Sequence, residues 1–139
     1  MEEKKDFYHL VEEIYASDSR YKPDAYEFIM QALHFTQKKL NRQTHVSGRE
    51  LSEGIRDFAI EQYGPMVATV FSHWGIRKTD DFGNIVFNLI NSKVLSKTDA
   101  DSIEDFRDVY DFASTFRNVL RDSVLKNMEQ IENDLKKDS

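Results

Sequence analysis

The stretch from His45 to Ile90 constrains the fold most, because it carries start and stop signals for three successive helices. Ser47 and Glu50 form a capping box, in which the hydroxyl and the carboxylate satisfy backbone amides that a helix start leaves unpaired. Gly64-Pro65 ends this first helix and suits the first turn of the second. Gly75 fits a left-handed C-terminal cap that ends the second helix. Because the connections are so short, the three helices are expected to pack as one unit.

The third of these helices begins with polar residues that suit a helix start. Thr79 or Asp80 can cap it, and the acidic pair Asp80 and Asp81 suits the positive end of the helix dipole. The second helix is apolar nearly all round, which is typical of a buried central helix. The apolar positions of all three helices predict a shared core of Phe58, Val70, Phe71, Trp74, Phe82, Val86 and Leu89.

Two further helices are predicted before this stretch. Apolar residues recur at helical spacing from Phe7 to Tyr15, and Ser17 to Ser19 supplies a turn after them. Pro23 suits a first helical turn and opens the next helix, whose apolar face runs to Leu40.

The C-terminal part of the chain is typical of one long helix with an apolar stripe. The stripe has steps of 4, 4, 4, 4, 3 and 4 residues. These average nearer four than the 3.5 of a heptad seam, which disfavours a regular left-handed coiled coil. Phe112 to Val124 is expected to lie on the domain, while the distal half turns to solvent and its end frays. The stripe consists of Phe112, Phe116, Leu120, Val124, Met128, Ile131 and Leu135.

Residues 93 to 110 have a different pattern. Lys93 to Lys97 is short and β-tolerant, the sequence TDADS is turn-rich, and Phe106 to Tyr110 alternates apolar and charged residues. A small β-hairpin is predicted, and a helix starting at Ser102 also fits a 3.6-residue period. Three helices followed by a hairpin is the order of elements in winged-helix domains. The predicted fold class is therefore mainly α, a compact multi-helix domain with a small β-hairpin and a winged-helix-like order of elements in its centre.

Composition bounds the domain organisation and the compartment. At 139 residues, 40% of them hydrophobic, a single domain over 1–139 is expected, with a core of about 6–125 and a frayed polar helix end over 126–139. Zero cysteines exclude disulfides and thiol chemistry. The net charge of −6 works against nonspecific attraction to nucleic acid or anionic lipid. No export or membrane-spanning signal is recognised, so no membrane association is expected and the cytoplasm is the expected location.

Part of the chain also resembles a known family. The resemblance covers roughly Arg20 to Phe112, and the motifs that carry it, in order, are RYKPDAYEFI, HVSGRELSEGIRDFAIEQYGPM, HWGI, TDDFGNIVFNLI and LSKTDADSIEDFRDVYDF. They are similar to an uncharacterised conserved family of small bacterial proteins, a domain of unknown function. The resemblance implies no activity, ligand or site, so no functional residue is transferred from it.

No residue pattern predicts a catalytic, cofactor-binding or metal site. The four histidines are scattered without a metal-binding spacing. The loop that begins at Asp99 fails the EF-hand template, because Ile103 and Glu104 stand where an oxygen ligand and a glycine are needed. The glycines form no phosphate-binding pattern. No cofactor is expected, and an enzyme is the less favoured interpretation.

The favoured function is a non-enzymatic protein-interaction or adaptor module. Its partner would be another protein, and the oligomeric state is left open. Aromatic side chains at Tyr21, Tyr26, Phe35 and Tyr63 are expected to form exposed edges that a partner could contact. A second alternative is an enzyme whose site is assembled from distant residues.

The first alternative is a winged-helix-like, sequence-specific DNA-binding protein. Asn84, Asn88 and Asn91 lie on one side of the third helix, and asparagine can pair bidentately with adenine in a major groove. Arg77 and Lys78 precede them, and these five residues form the candidate interaction surface. Residues 94–111 carry a net charge of −4 where a wing should meet phosphate, so nucleic acid is possible as a partner but disfavoured.

Overall fold

The computed structural model describes residues 6–42, 45–96 and 102–137. Over these residues the chain forms α-helices, most of them joined by short connections. The helices are α1 (Phe7–Ser17), α2 (Pro23–Lys39), α3 (Gly48–Tyr63), α4 (Val67–Trp74), α5 (Thr79–Asn91) and α6 (Phe112–Lys137). One 3-10 turn, Gly64–Met66, joins α3 to α4, and another, Ile103–Phe106, lies between α5 and α6. The mainly helical class predicted from the sequence is confirmed.

The predicted signals at the start of α3 and the end of α4 are confirmed. The Ser47 hydroxyl accepts a hydrogen bond from the Glu50 amide at 3.1 Å, and the Ser47 amide donates to Oε1 of Glu50 at 3.0 Å. Gly75 adopts a left-handed conformation with a φ of 88° at the end of α4. The Ile76 amide then donates to the Phe71 carbonyl at 2.8 Å, which completes the cap.

The start of α5 differs from the prediction in one detail. The residue before the helix is Lys78, and Thr79 is the first helical residue, so neither predicted residue is the cap. Asp81 satisfies the helix start instead, because its Oδ2 accepts from the amides of Arg77 and Lys78 at 2.7 and 3.1 Å. The Thr79 hydroxyl is then free to donate to the carbonyl of Phe106 at 2.7 Å.

The core is centred on Phe71 of α4, which is fully buried. Its ring centroid lies 5.7 Å from that of Phe28 on α2, 5.9 Å from that of Phe82 on α5 and 5.3 Å from that of Phe116 on α6. One side chain thus joins four helices. Of the predicted core residues, Phe71, Trp74, Phe82, Val86 and Leu89 are buried, and Phe58 and Val70 are half-buried at its edge.

The predicted β-hairpin is wrong. The described part of residues 93–110 contains no strand, and residues 97–101, which include most of the predicted tip, lie outside the described residues. Lys93 ends α5 in a left-handed turn with a φ of 63°. The Val94 amide returns to the Leu89 carbonyl at 2.9 Å, so the first predicted strand is instead the C-terminal cap of α5.

The second predicted strand, Phe106–Tyr110, is not formed: a short helical turn ends at Phe106, and turns follow it. The Ser102 hydroxyl accepts from the Glu104 amide at 3.2 Å, and Asp105 Oδ2 accepts from the Ser102 amide at 3.2 Å, which starts the turn Ile103–Phe106. Asp108, with a φ of 46°, leaves the extended region and changes the chain direction. The helical alternative was right about the start at Ser102. Without a hairpin, the winged-helix-like order of elements has no wing in the described residues.

Phe106 holds this segment on the domain. It is buried and packs where α3 and α5 each carry a glycine, so that a methyl group at Gly48 or Gly83 would come within 3.0 Å of it. Thr79 fixes the segment from the other side, since its hydroxyl oxygen also accepts from the Val109 amide at 3.1 Å. The chain therefore crosses α3 and α5 closely before α6 begins.

The long helix α6 docks through its first turns and then leaves the domain. It packs on α4 and on the turn Gly64–Met66. Phe116 is its buried residue among those described. Leu120 and Val124 are 49% and 50% exposed, so the prediction that the apolar stripe lies on the domain as far as Val124 is wrong for these two residues. The helix itself continues regularly to Lys137.

Candidate functional site

The two asparagines in the middle of the predicted α5 surface are hydrogen-bonded within the molecule. Asn84 Nδ2 donates to the Tyr21 hydroxyl at 2.8 Å. Asn88 Nδ2 donates to Asp18 Oδ2 at 2.9 Å and to the Tyr26 hydroxyl at 3.0 Å. Both N–H groups of the Asn88 amide are thus engaged, since an amide nitrogen carries two. These amides face α2 and the connection that precedes it.

Asp18 is the charged centre of this arrangement. Arg20 Nε donates to Asp18 Oδ1 at 2.9 Å, and Arg20 Nη2 donates to Oδ2 at 2.8 Å. This hydrogen-bonded guanidinium holds the pKa of Asp18 well below its usual range. Tyr26 accepts a hydrogen bond from the same Asn88 amide as Asp18 does, and burial raises the pKa of its hydroxyl. We call Asp18, Arg20, Tyr26 and Asn88 the Asp18 network; it ties the end of α1 to α2 and α5.

A second link joins Tyr21 to the start of α5. The Tyr21 hydroxyl donates to Asp81 Oδ1 at 2.5 Å while accepting from Asn84, and the other oxygen of Asp81 caps the helix. Burial, reinforced by the Asp81 carboxylate, raises the pKa of Tyr21 above its usual range. The hydroxyl stays protonated at neutral pH, so this pair is a structural link and is poorly suited to proton transfer.

The remaining residues of the predicted surface are exposed but lie apart. Arg77 and Lys78 precede α5, and Asn91 is at its C-terminal end. A helix of 13 residues spans about 20 Å, so these ends do not meet. The structure therefore does not gather the five predicted residues into one exposed patch.

The aromatic edges expected from the sequence are also largely inside. Tyr21 and Tyr26 are 1% and 0% exposed, so their prediction as exposed residues is wrong. Phe35 and Tyr63 are half-buried, and Tyr63 packs on Phe28 with ring centroids 5.8 Å apart. Sequence spacing alone did not separate a tyrosine that hydrogen-bonds inside the fold from one at its surface.

A mostly apolar cavity of about 300 Å³ lies between α2, α3 and α5. Leu33, Leu51 and Ile90 contribute apolar walls, and Phe106 closes one side. His45 and Ser96 also line it, and each borders residues outside the described ranges. In the described part of the chain, no group of three or more histidine, aspartate or glutamate side chains is arranged to hold a metal ion.

Most of the exposed large hydrophobic side chains of the described residues lie on α6, and we call this set the α6 stripe. Val119 is half-buried toward the domain, and Met128, nine residues later, points about 180° away from it. The stripe therefore lies on the side of α6 that faces away from the domain contact. Its members, 49% to 66% exposed, are Leu120, Val124, Leu125, Met128, Ile131 and Leu135.

The sequence pattern had identified most of these residues but placed them on one face with Phe112 and Phe116. In the structure those two phenylalanines pack on the domain, with ring centroids 4.7 Å apart, while Leu125 joins the exposed set. Of the described helices, α6 included, none is both long enough and apolar enough to cross a membrane.

Comparison of the chain with protein-family models, with curated proteins and with solved structures gave no match. The resemblance to an uncharacterised bacterial family thus stays a prediction from its motifs. The fold and the candidate site define a mainly helical protein with an internally hydrogen-bonded α5 and a projecting, amphipathic α6.

Proposed function

We propose that the protein is a non-enzymatic protein-interaction module and that the α6 stripe is its contact surface. The observation that carries the proposal is the exposure of six large apolar side chains on one side of a helix that leaves the domain. Contiguous apolar patches on soluble proteins mark interaction surfaces more often than isolated exposed residues do. The cytoplasm stays the expected compartment, on the sequence alone.

The spacing of the stripe supports a helical contact. Val124, Met128 and Ile131 stand at i, i+4 and i+7, which is the spacing of anchor residues when an amphipathic helix packs into a partner's groove or against another helix. Complete burial of such a side chain is favourable by about 1.5–3 kcal/mol. Because these three side chains are about half exposed, a partner that covers them would add about half of that free energy for each.

Nucleic-acid recognition by α5 is the weaker alternative. Asn88 would have to release Asp18 and Tyr26 before its amide could pair with a base. The three acidic residues Glu104, Asp105 and Asp108, exposed beside α5, would repel phosphate.

Photo-crosslinking in cells tests the proposal directly. A photoreactive residue in place of Ile131 sits in the stripe, whereas one in place of Asn133 sits about 160° around the helix and serves as the matched control. We expect a defined crosslinked product from position 131 and none from position 133. Its mass distinguishes a second copy of this chain from a different protein. Equal products at both positions, or none at either, would contradict the proposal.

A further inference from the structure

We infer that the α6 stripe is covered by a second copy of this chain, with the two distal α6 segments paired antiparallel. The inference rests on the proposed function, since it names the partner of the same surface. It depends on two features of α6: the spacing of the exposed apolar residues and the distribution of charge along the helix.

The spacing becomes regular once the domain-facing residues are set apart. Val124 and Ile131 are seven residues apart, as are Met128 and Leu135, and the steps between successive members are 4, 3 and 4. This is the alternation of a heptad seam, in which two helices pack knobs into holes. The heptad spacing is not apparent in the whole apolar stripe, because Phe112 and Phe116 add steps of four residues. These two side chains pack on the domain and are not part of the seam. A short left-handed helix pair is therefore compatible with this segment.

The charges select the direction of pairing. Residues 117–126 carry Arg117, Arg121 and Lys126 against Asp122, a net charge of +2. Residues 127–135 carry acidic charge alone, a net of −3, from Glu129, Glu132 and Asp134. A parallel pair would place like charges side by side, whereas an antiparallel pair sets the basic segment of each copy against the acidic segment of the other.

The same charges argue against a membrane surface as the occupant. Helices that lie on anionic membranes carry an excess of lysine and arginine on their polar face. Residues 117–137 instead mix five basic with four acidic side chains, a net charge of +1, and the whole chain has −6. The net negative charge of the whole chain would oppose binding to such a surface.

The antiparallel register follows from superposing the apolar and charged segments. Centring the pair near Lys126 places Val124 of one copy opposite Met128 of the other. It places Leu120 close to Ile131 of the second copy. The segment beyond Val119 is 18 residues, or about 27 Å, long, so the contact is at the small end of specific interfaces and a dissociation constant of about 10 µM is expected.

Sedimentation equilibrium of the purified full chain tests the partner. We expect a monomer–dimer equilibrium, at least about tenfold weakened when Met128→Glu and Ile131→Glu are combined, because the new carboxylates would have to be desolvated in the apolar seam. Asn133→Glu, which adds a charge on the opposite side, should leave the equilibrium unchanged. Circular dichroism of each variant checks that the helices persist. A strictly monomeric wild type at about ten times the expected dissociation constant overturns the inference.

The two proposals fail separately in these experiments. A monomer in solution together with a crosslink from position 131 to a different protein contradicts self-association and leaves the interaction module intact. Absence of both contradicts the proposed function as well.

The direction in which the two helices pair is tested by introducing cysteines and measuring which disulfides form. The chain has no cysteine of its own that would form competing disulfides. In the antiparallel register, two copies of residue 120 are about 18 Å apart along the axis, far beyond disulfide reach. Leu120→Cys alone should therefore stay reduced at the protein concentration at which the dimer forms. A mixture of Leu120→Cys and Ile131→Cys proteins should give the mixed disulfide. Rapid self-crosslinking of either variant, without the mixed product, would contradict the antiparallel arrangement.

Discussion

At the scale of single residues, Asp18 shows how the structure turns a polar face inward. Its carboxylate accepts hydrogen bonds from Arg20 and from Asn88, an asparagine that on a helix face alone looks available for recognition. The asparagine spacing was visible in the sequence. The hydrogen-bond partners of Asn88 were not visible, because Asp18 and Tyr26 are 70 and 62 residues away from it in sequence and only tertiary packing brings them together. Asp18 is therefore a stabilising group whose effect depends on its ionisation.

The pH dependence of that effect can be predicted. The pKa of Asp18 is lowered by folding, so its contribution is fully present above the unfolded pKa of about 3.9 and is lost as the pH falls through the lower folded value. Asp18→Asn should cost about 1–2 kcal/mol of unfolding free energy at pH 7, a modest figure because Arg20 is largely exposed. Urea titrations from pH 7 downward should show the difference shrinking below about pH 4. Asp122→Asn, an exposed position on α6, is the control, and a gap that stays constant with pH would contradict this role.

At the scale of elements, the helices with caps and strong periodicity were predictable, and the segment between α5 and α6 was not. The alternation of Phe106 to Tyr110 is typical of a strand, but the capping box at Ser102 starts a helical turn that ends at Phe106, and the left-handed Asp108 then changes the chain direction. The close approach of Phe106 to glycines on α3 and α5 depends on three segments distant in sequence. For α6 the helix was predicted correctly, whereas the point where it leaves the domain depended on contacts with α4 that sequence spacing does not show.

Phe116 should carry most of the docking of α6. It is 1% exposed, and its ring lies 5.3 Å from Phe71 and 6.0 Å from Tyr110. Phe116→Ala should lower the unfolding free energy by about 3–5 kcal/mol. Met128→Ala, which truncates a side chain 51% exposed, should change it by less than about 0.5 kcal/mol in dilute protein. Chemical denaturation of both variants measures this contrast, and similar losses would show that the distal helix is covered by its own domain.

At the scale of the whole molecule, the chain combines a packed helical body with one helix that extends beyond it. Phe71 links α2, α4, α5 and α6 in a single aromatic cluster, which explains why the first turns of α6 belong to the body. Beyond Val119 the helix has little of its own molecule to pack against among the described residues, so its stability must come from local helix propensity or from a partner. This division is the basis of both proposals.

Amide hydrogen exchange measures that division most directly. In dilute protein, at about 1 µM and thus below the expected dissociation constant, amides of residues 121–137 should exchange at least about 100-fold faster than those of 85–89 in the buried part of α5. Raising the protein concentration should then protect residues 121–137 selectively. Strong protection of the distal helix already in dilute protein, equal to that of α5, would contradict the account, because it would mean that the stripe is covered within a single copy.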